Sequence, residues 1–323
     1  MINWGIISTG KIANAFAHDF HYVPSGHLLA VASRSLDKAQ AFAQTHQIPH
    51  AYGSYEALIN DPNIQAIYIA TPHHSHFELT LQCLNKGKAV LCEKPITVNS
   101  QQLQDLITTA KANDCFLMEA MWTYFLPPIV QVRKWIQEGR IGQVRAIKAE
   151  FGYKGKFDPK GRLFNPDLAG GALLDIGIYP ISLATILFNQ SVEHIYAVAQ
   201  IGTTGVDEYN SILLTYPDGG IAELSSSLVN SFHCNAYIYG TEGHIHIPRF
   251  WQTKSAHLQN ANERIHFEDQ REAKGFCFET EAVNQLLLAG KKESDIASHA
   301  RSLEVMQIMD EVRRQIGLRY PFE

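Results

Sequence analysis

The chain has 323 residues, 46% of them hydrophobic and 18% charged, with no low-complexity block. That is long enough for two domains with sizeable cores and is ordinary for a globular protein. A formal charge of −5 and a pI near 6.3, without any Lys/Arg-rich run, remove the electrostatic case for nucleic acid as a partner. The five cysteines (Cys83, Cys92, Cys115, Cys234 and Cys277) are scattered, odd in number and never in a CxxC pair. They point to reduced thiols, not to a disulfide framework or a zinc site. The N-terminus runs into "NWGIIS" without a basic region, and no apolar stretch reads as long enough to span a bilayer. The expectation is a cytoplasmic protein with no membrane partner.

Up to about residue 120, short apolar runs alternate with helical spacing. Strands are predicted at 3–8, 28–33, 65–70, 88–92 and 115–119, and helices at 11–20, 36–45, 75–86 and 100–112. Asn99 or Ser100 is the expected cap of the last helix. This alternation argues for a parallel sheet covered by helices, here assigned to residues 1–120. After 120 the rhythm changes. Residues 144–153 alternate in period two, further strands are predicted at 194–201, 209–216, 220–228, 234–240 and 244–247, and "YPDGG" (216–220) supplies a hairpin turn. With helices at 172–188, 276–289 and 298–316, residues 121–323 read as an α+β domain on an open, largely antiparallel sheet. Val144, Ala146, Ala149, Ile212, Leu214 and Leu224 are expected on a face that helices leave uncovered, which predicts a homodimer through this sheet.

The first strand ends in "GIISTGKIA", with Ser8, Gly10 and Ala13 at the three positions of a G-x-G-x-x-A fingerprint. That pattern needs a tight turn, a backbone open to a pyrophosphate, and a small residue where helix meets strand. Gly10 and Ala13 meet the second and third needs; Ser8 departs at the first, where Gly is usual. A dinucleotide fold normally ends its second strand on an acid that holds the ribose 2′-OH. Here Ser33 stands in that place, followed by Arg34, a pair suited to a 2′-phosphate. The plainer alternative makes Ser33 a helix cap and Arg34 a surface charge. NADP(H) is the expected cofactor, with NAD(H) as the alternative.

Ligands of a doubly wound sheet sit outside the carboxyl ends of the strands. "ATPHHSH" (70–76) and Glu93-Lys94-Pro95 both fall there, so Lys94 is aimed into the crevice and Pro95 fixes the exit of the backbone. In "LAGGALLDIGIYPISLA" (168–184), Asp175 and Tyr179 are four apart and share one helix face. Gly170 and Gly171 allow a close turn before them, and Gly177 implies close packing inside the helix.

Taken together, "GIISTGKIA", "ATPHHSH", "EKP", "EAMWTYF" (119–125) and "GGALLDIGIYP" resemble the Gfo/Idh/MocA oxidoreductases over essentially the whole chain. "SRS", "EAMWT" and Tyr179 are most similar to the branch of dimeric dihydrodiol dehydrogenase and glucose–fructose oxidoreductase. The resemblance implies a Rossmann domain followed by an α/β domain whose sheet mediates dimerisation. It also implies hydride transfer between NADP(H) and a hydroxyl or carbonyl carbon of a sugar, polyol or cyclic diol. Lys94, Asp175 and Tyr179 carry over as the catalytic residues. Ser8 departs from the family's Gly, and Tyr124 stands where the dihydrodiol branch has Arg.

The cofactor set expected is Ser8, Thr9, Gly10, Lys11, Ile12, Ser33, Arg34, Thr71, Pro72, His76, Glu93, Lys94 and Trp122. The substrate set is Lys94, Trp122, Phe157, Arg162, Asp175 and Tyr179, with Phe125, Phe151, Tyr153 and Phe164 as further candidates for a ring-lined wall. Arg162 reads equally well as a surface salt bridge. His73, His74 and His76 cluster without an acid or thiolate to complete a metal site, so no metal is expected. In the expected reaction Tyr179 moves the proton, Lys94 favours its phenolate, and Asp175 orients the lysine or accepts from a second substrate hydroxyl. A dehydrogenase restricted to trans-dihydrodiols is the narrower enzymatic reading. A non-catalytic NADP-binding sensor is the rival from another class.

Overall fold

The run Ile2–Ile7 forms the central strand of a parallel sheet because every residue in it but one is buried and its neighbours are equally apolar. The computed structural model describes residues 1–323. By their contacts these fall into a first unit, Met1–Trp122 with Glu272–Leu303, and a second, Thr123–Arg271 with Glu304–Glu323.

In the first unit the strands are β1 (Ile2–Ile7), β2 (Gly26–Ala32), β3 (His50–Tyr52), β4 (Ala66–Ile69), β5 (Ala89–Glu93) and β6 (Leu117–Ala120). They pair in parallel in the order β3-β2-β1-β4-β5-β6, so the order reverses between β1 and β4. The helices between them are α1 (Lys11–Asp19), α2 (Leu36–His46), α3 (Tyr55–Ile59), α4 (His76–Asn85) and α5 (Ser100–Ala112). β4 and β5 are buried along their whole length, as strands sandwiched by helices must be. Asn99 caps α5 through a 2.9 Å bond from the Gln102 amide to its side chain. The cap of α2 is Ser35, not Ser33.

The later part of the chain holds α6 (Pro127–Gln137), β7 (Val144–Gly152), α7 (Ile178–Phe188), β8 (His194–Ile201), β9 (Asp207–Thr215), β10 (Ile221–Ser227), β11 (Ala236–Gly240), β12 (Gly243–Ile247), β13 (Ser255–Asn260), β14 (Arg264–Glu268), α8 (Phe276–Leu288) and α9 (His299–Ile316). A division into two consecutive segments does not describe these contacts, because 272–303 returns to the first unit. The reason is a set of polar ties made over long sequence separation. Asp19, fully buried, accepts from the amides of Lys274, Gly275 and Phe276 at 2.6–2.9 Å, capping α8 from another helix. Trp4 Nε1 donates to Asn284 Oδ1 at 2.8 Å. Gly275 sits at φ +132°, where only glycine is comfortable.

The second unit is built on an eight-stranded sheet in the order β14-β13-β12-β11-β7-β10-β9-β8. All of its pairs are antiparallel except β7 with β10. The hairpin at 216–220 closes through Tyr216 N to Gly220 O at 3.0 Å, with Gly219 at φ +82°. A π-helical turn, Leu173–Gly177, continues into α7, and every residue of the two is buried against β7, β9 and β10. The segment Pro166–Phe188 has the length to span a bilayer and contains an 18-residue window of mean hydropathy 1.7, against the expectation of no such stretch. Its apolar window is wholly buried inside the protein, so its hydropathy belongs to a core.

The open face of this sheet is not the one expected. Val144, Ala149, Ile212, Leu214 and Leu224 are buried, and Ala146 is partly so. The alternate residues are the uncovered ones: Tyr196, Val198, Leu213, Ile221 and Tyr239, between 36% and 70% exposed. Ala146 pairs with Ile221 and Tyr239 on the exposed face, so the expected set mixed the two faces and for the rest named the buried one.

Candidate active site

The first unit brings its site residues to the carboxyl ends of β1, β2, β4 and β5. Ser8 leaves β1 at φ +103°, the left-handed side of φ that the usual Gly of this turn would adopt without strain. Its Oγ accepts from the Gly10 amide at 3.2 Å. Gly10 is exposed, and a Cβ built on it would meet nothing nearer than Ser8 Oγ at 3.4 Å. The space in front of its backbone is therefore left open by the missing side chain, as a pyrophosphate requires. Thr9 and Ile12 are half-buried and Lys11 exposed, while Ala13 is fully buried where α1 meets the sheet. Ser33 is buried at the end of β2, bonded through its amide to Tyr52 O at 3.1 Å, and Arg34 is exposed next to it. No carboxylate occupies the place of the ribose-binding acid, and the residues present suit a phosphate there.

At the ends of β4 and β5, His76, expected to contact the cofactor, is held between two backbone segments. His76 is fully buried, with Nδ1 2.8 Å from Pro95 O and Nε2 2.8 Å from Thr71 O. Its ring fastens the Thr71-Pro72 turn to the Lys94-Pro95 segment. Burial lowers its pKa and the two carbonyl contacts oppose that, since a neutral ring donates to one carbonyl and only an imidazolium to both. Glu93 is buried too; it accepts from the Tyr68 hydroxyl and, at 3.2 Å, from the Lys94 amide. Glu119 Oε1 takes the Ile96 amide at 3.0 Å, and its other oxygen takes Ser302 Oγ at 2.8 Å. The odd acid–base–proline ending of β5 is thus explained from below. Glu93 and Glu119 are buried acceptors that fix the backbone on either side of Lys94 and the cis Lys94-Pro95 bond. Trp122 lies flat on Phe276, with ring centroids 4.5 Å apart.

The second unit assembles Asp175, Tyr153 and Arg162. Asp175 is buried; Arg162 Nη1 donates to Oδ1 at 2.8 Å and Tyr153 OH to Oδ2 at 3.1 Å. Burial and the facing carboxylate both hold the Tyr153 hydroxyl in its protonated, donating form. Arg162, itself exposed, forms an ion pair with this buried acid, the salt bridge that its sequence context allowed. Tyr179 stands edge-on to Phe151 at 5.4 Å and to Trp251 at 6.1 Å, and these two rings stack at 4.8 Å. Because 173–177 is a π turn, Asp175 and Tyr179 are not related by plain α-helical spacing. Gly177 does mark close packing: a Cβ there would lie 2.9 Å from Ser226 Oγ. Phe157 is exposed and meets Phe164 edge-on at 5.1 Å. Tyr124 is buried and donates to Ser182 O at 3.3 Å. Trp251 was missed: it follows β12 in "PRFWQ", where no periodicity or motif singles it out.

Comparison with known proteins agrees with this architecture. Residues 2–121 match a family described as "Oxidoreductase family, NAD-binding Rossmann fold", and residues 129–246 match the GFO/IDH/MocA C-terminal domain. The chain is 41% identical to trans-1,2-dihydrobenzene-1,2-diol dehydrogenase of Xenopus tropicalis, covering 98% of this chain and 99% of that one. It is 36% identical to the Homo sapiens protein of the same name, over 99% and 98% of the two chains. Among solved structures it is similar to KijD10, a 3-ketoreductase from Actinomadura kijaniata in complex with TDP-benzene and NADP. That match has 27% identity, a TM-score of 0.85 and 98% coverage of both chains. Aldose-aldose oxidoreductase from Caulobacter crescentus, 22% identical with a TM-score of 0.88 and 97% coverage of both, shares the fold. With both domains matched and relatives of this identity along its whole length, the chain belongs to the Gfo/Idh/MocA family of oxidoreductases.

Proposed function

We propose that the protein is an NADP(H)-dependent dehydrogenase of vicinal diols, with trans-dihydrodiols of the benzene type as the first substrates to try and sugars and polyols next. The full-length likeness to dihydrodiol dehydrogenases supports the substrate class. The observation that carries the cofactor reading is the end of β2, where buried Ser33 and exposed Arg34 replace an acid. KijD10, solved with NADP, is consistent with it.

When bound, the nicotinamide accepts or gives the hydride. Tyr179 is the proposed proton-transfer group for the substrate oxygen. An ordinary phenol, with a pKa near about 10, holds its proton at neutral pH, so oxidation needs a cation to favour the phenolate. Lys94 is proposed for that role. Asp175, held in place by Tyr153 and Arg162, is proposed to accept from the second hydroxyl of the diol. The rings of Phe151 and Trp251 suit the flat carbon skeleton of a cyclic diol.

The exposed apolar face of the second unit's sheet supports a homodimer formed through it. Five cysteines with no disulfide among them support a reducing, cytoplasmic setting. The deciding experiment offers NADP⁺ or NAD⁺ with trans-benzene dihydrodiol, glucose or a polyol, following nicotinamide absorbance. The expected result is diol-dependent reduction of NADP⁺, tighter binding of NADPH than NADH, and loss of that preference in Arg34→Ala. Equal affinities would overturn the cofactor assignment. Tight NADPH binding with no turnover of any of the three substrates would favour the sensor.

A further inference from the structure

The turn that launches the helix bearing Asp175 and Tyr179 is built around a carboxylate that the proposed reaction does not use. Asp207, the first residue of β9, is fully buried. Its Oδ2 accepts from the Leu173 amide and from Asn210 Nδ2, each at 2.8 Å. Its Oδ1 has no hydrogen-bond partner and lies where a Cβ on Gly171 would come within 2.2 Å. Gly171 sits at φ +119°. A Cβ on Gly170 would meet the carbonyl oxygens of Leu163, Asn165 and Arg162 at 2.8–3.0 Å. Tyr320 OH donates to Gly170 O at 2.8 Å from the other side. The start of the helix is thus clamped between a buried acid and a buried phenol; Gly171 lets the acid approach, and Gly170 lets the backbone of 162–165 pack against the turn.

We propose that Asp207 is a positioning residue for Asp175 and Tyr179, acting through the amide of Leu173. The Leu173 N–H belongs to the first turn of a helical run and has no partner of its own within it, so the acceptor that takes it sets where the run begins. Asp175 is two residues further on and Tyr179 six. A carboxylate holds such an N–H more tightly than a carboxylic acid does. Burial pushes the Asp207 pKa up to about 7, against the pull of Asn210, the Leu173 amide and the Arg313 charge. The other ionisable groups at this site are held in one state or paired. Arg313 is bonded to Glu323 and Asp310 and lies 5.3 Å from the Tyr320 ring centroid, and burial keeps the Tyr320 phenol protonated. Asp207 is accordingly the group here that changes charge near neutral pH. Turnover should carry a limb that rises with pH through this region and belongs to a residue remote from substrate.

The proposal rests on the assignment of Tyr179 and Asp175 to the reaction, so the test runs Asp207→Asn beside Tyr179→Phe. Both are assayed on trans-benzene dihydrodiol with NADP⁺ across pH 5.5–9, with NADPH affinity measured by fluorescence. Asp207→Asn keeps the shape and an acceptor oxygen but cannot ionise. Its kcat above neutral pH should fall roughly tenfold, to the level the parent shows on its acid side, with NADPH affinity unchanged. The limb near neutrality should be absent. Asn210→Leu, which removes one donor to Oδ2, should move the parent's limb to higher pH. If Asp207→Asn does not fold, that shift decides the matter: an unmoved limb overturns the proposal. A folded Asp207→Asn with the parent's kcat and profile overturns it as well. If Tyr179→Phe also keeps full turnover, the site assignment fails and the proposal falls with it. If Tyr179→Phe is inactive while Asp207→Asn matches the parent, the positioning role alone is wrong.

Discussion

Replacing Ser8 tests the cofactor turn most sharply, because two variants separate two effects. At φ +103° a residue with a Cβ is strained, and such positions cost about 1–3 kcal/mol. The Ser8 hydroxyl offsets part of this through its bond from the Gly10 amide, worth about 0.5–1.5 kcal/mol. Ser8→Ala loses the bond and keeps the strain. Ser8→Gly loses both, and gives back about 0.5–1 kcal/mol in unfolded-chain entropy. The hydrogen bond cancels when the variants are compared with each other. Ser8→Gly should then be more stable than Ser8→Ala by about 1 kcal/mol in urea unfolding, the difference between the middles of the two ranges. Each also releases the Gly10 amide, so NADPH affinity by fluorescence titration should change only a few-fold in either. Equal stability of the two variants would refute the strained turn. A large gain in affinity for Ser8→Gly alone would show that the strain opposes nucleotide binding.

Gly177→Ala should destabilise the second unit by about 1–3 kcal/mol, since its methyl must displace buried Ser226 Oγ from 2.9 Å. Adding Ser226→Ala should recover part of the loss in thermal unfolding, and no recovery would place the clash elsewhere. Leu213→Glu with Ile221→Glu puts charge on the exposed sheet face. Light scattering should show a dimer for the parent and a monomer for the variant, with a lower Tm for the variant because the stability linked to association is lost. A monomeric parent at micromolar concentration would contradict the interface.

What could be read from the sequence follows the range of the forces involved. The five longer strands of the first sheet lie within two residues of their expected ends, because a strand buried on both faces leaves a continuous apolar run. β3 and α3 are three and five residues long, too short for periodicity to register, and neither was expected. α6 was not expected; Pro127 and Pro128 occupy its first turn, where proline is tolerated. β13 alternates buried apolar residues, and β14 half-buried ones, with His, Gln and Arg, a weak signal beside the apolar strands. The return of α8 to the first unit depends on Asp19 and Trp4, more than 250 residues away, and no local pattern encodes that.

The same limit applies at the site. Asp175 and Tyr179 stood out by motif, and Lys94 by its place at the carboxyl end of a predicted strand. The partners that hold Asp175, Tyr153 and Arg162, lie 22 and 13 residues away on other segments. His76 was expected at the cofactor by its position after a strand, but sequence could not show that both ring nitrogens meet backbone carbonyls.

The central claim is that the Tyr179 hydroxyl moves the substrate proton, with Lys94 acting in the same step. The direct measurement is the pH profile of diol oxidation by the parent, Tyr179→Phe, Lys94→Met and the double variant. Tyr179→Phe keeps the ring against Phe151 and Trp251, so NADPH affinity should hold while turnover falls roughly 10²–10⁴-fold. The rise towards a phenol-like limb at high pH should vanish with the hydroxyl. The double variant should be little worse than the weaker single one, because groups that act in one step are non-additive. Most of the parent's turnover and an unchanged profile in Tyr179→Phe would contradict the account and move the proton-transfer role to Lys94.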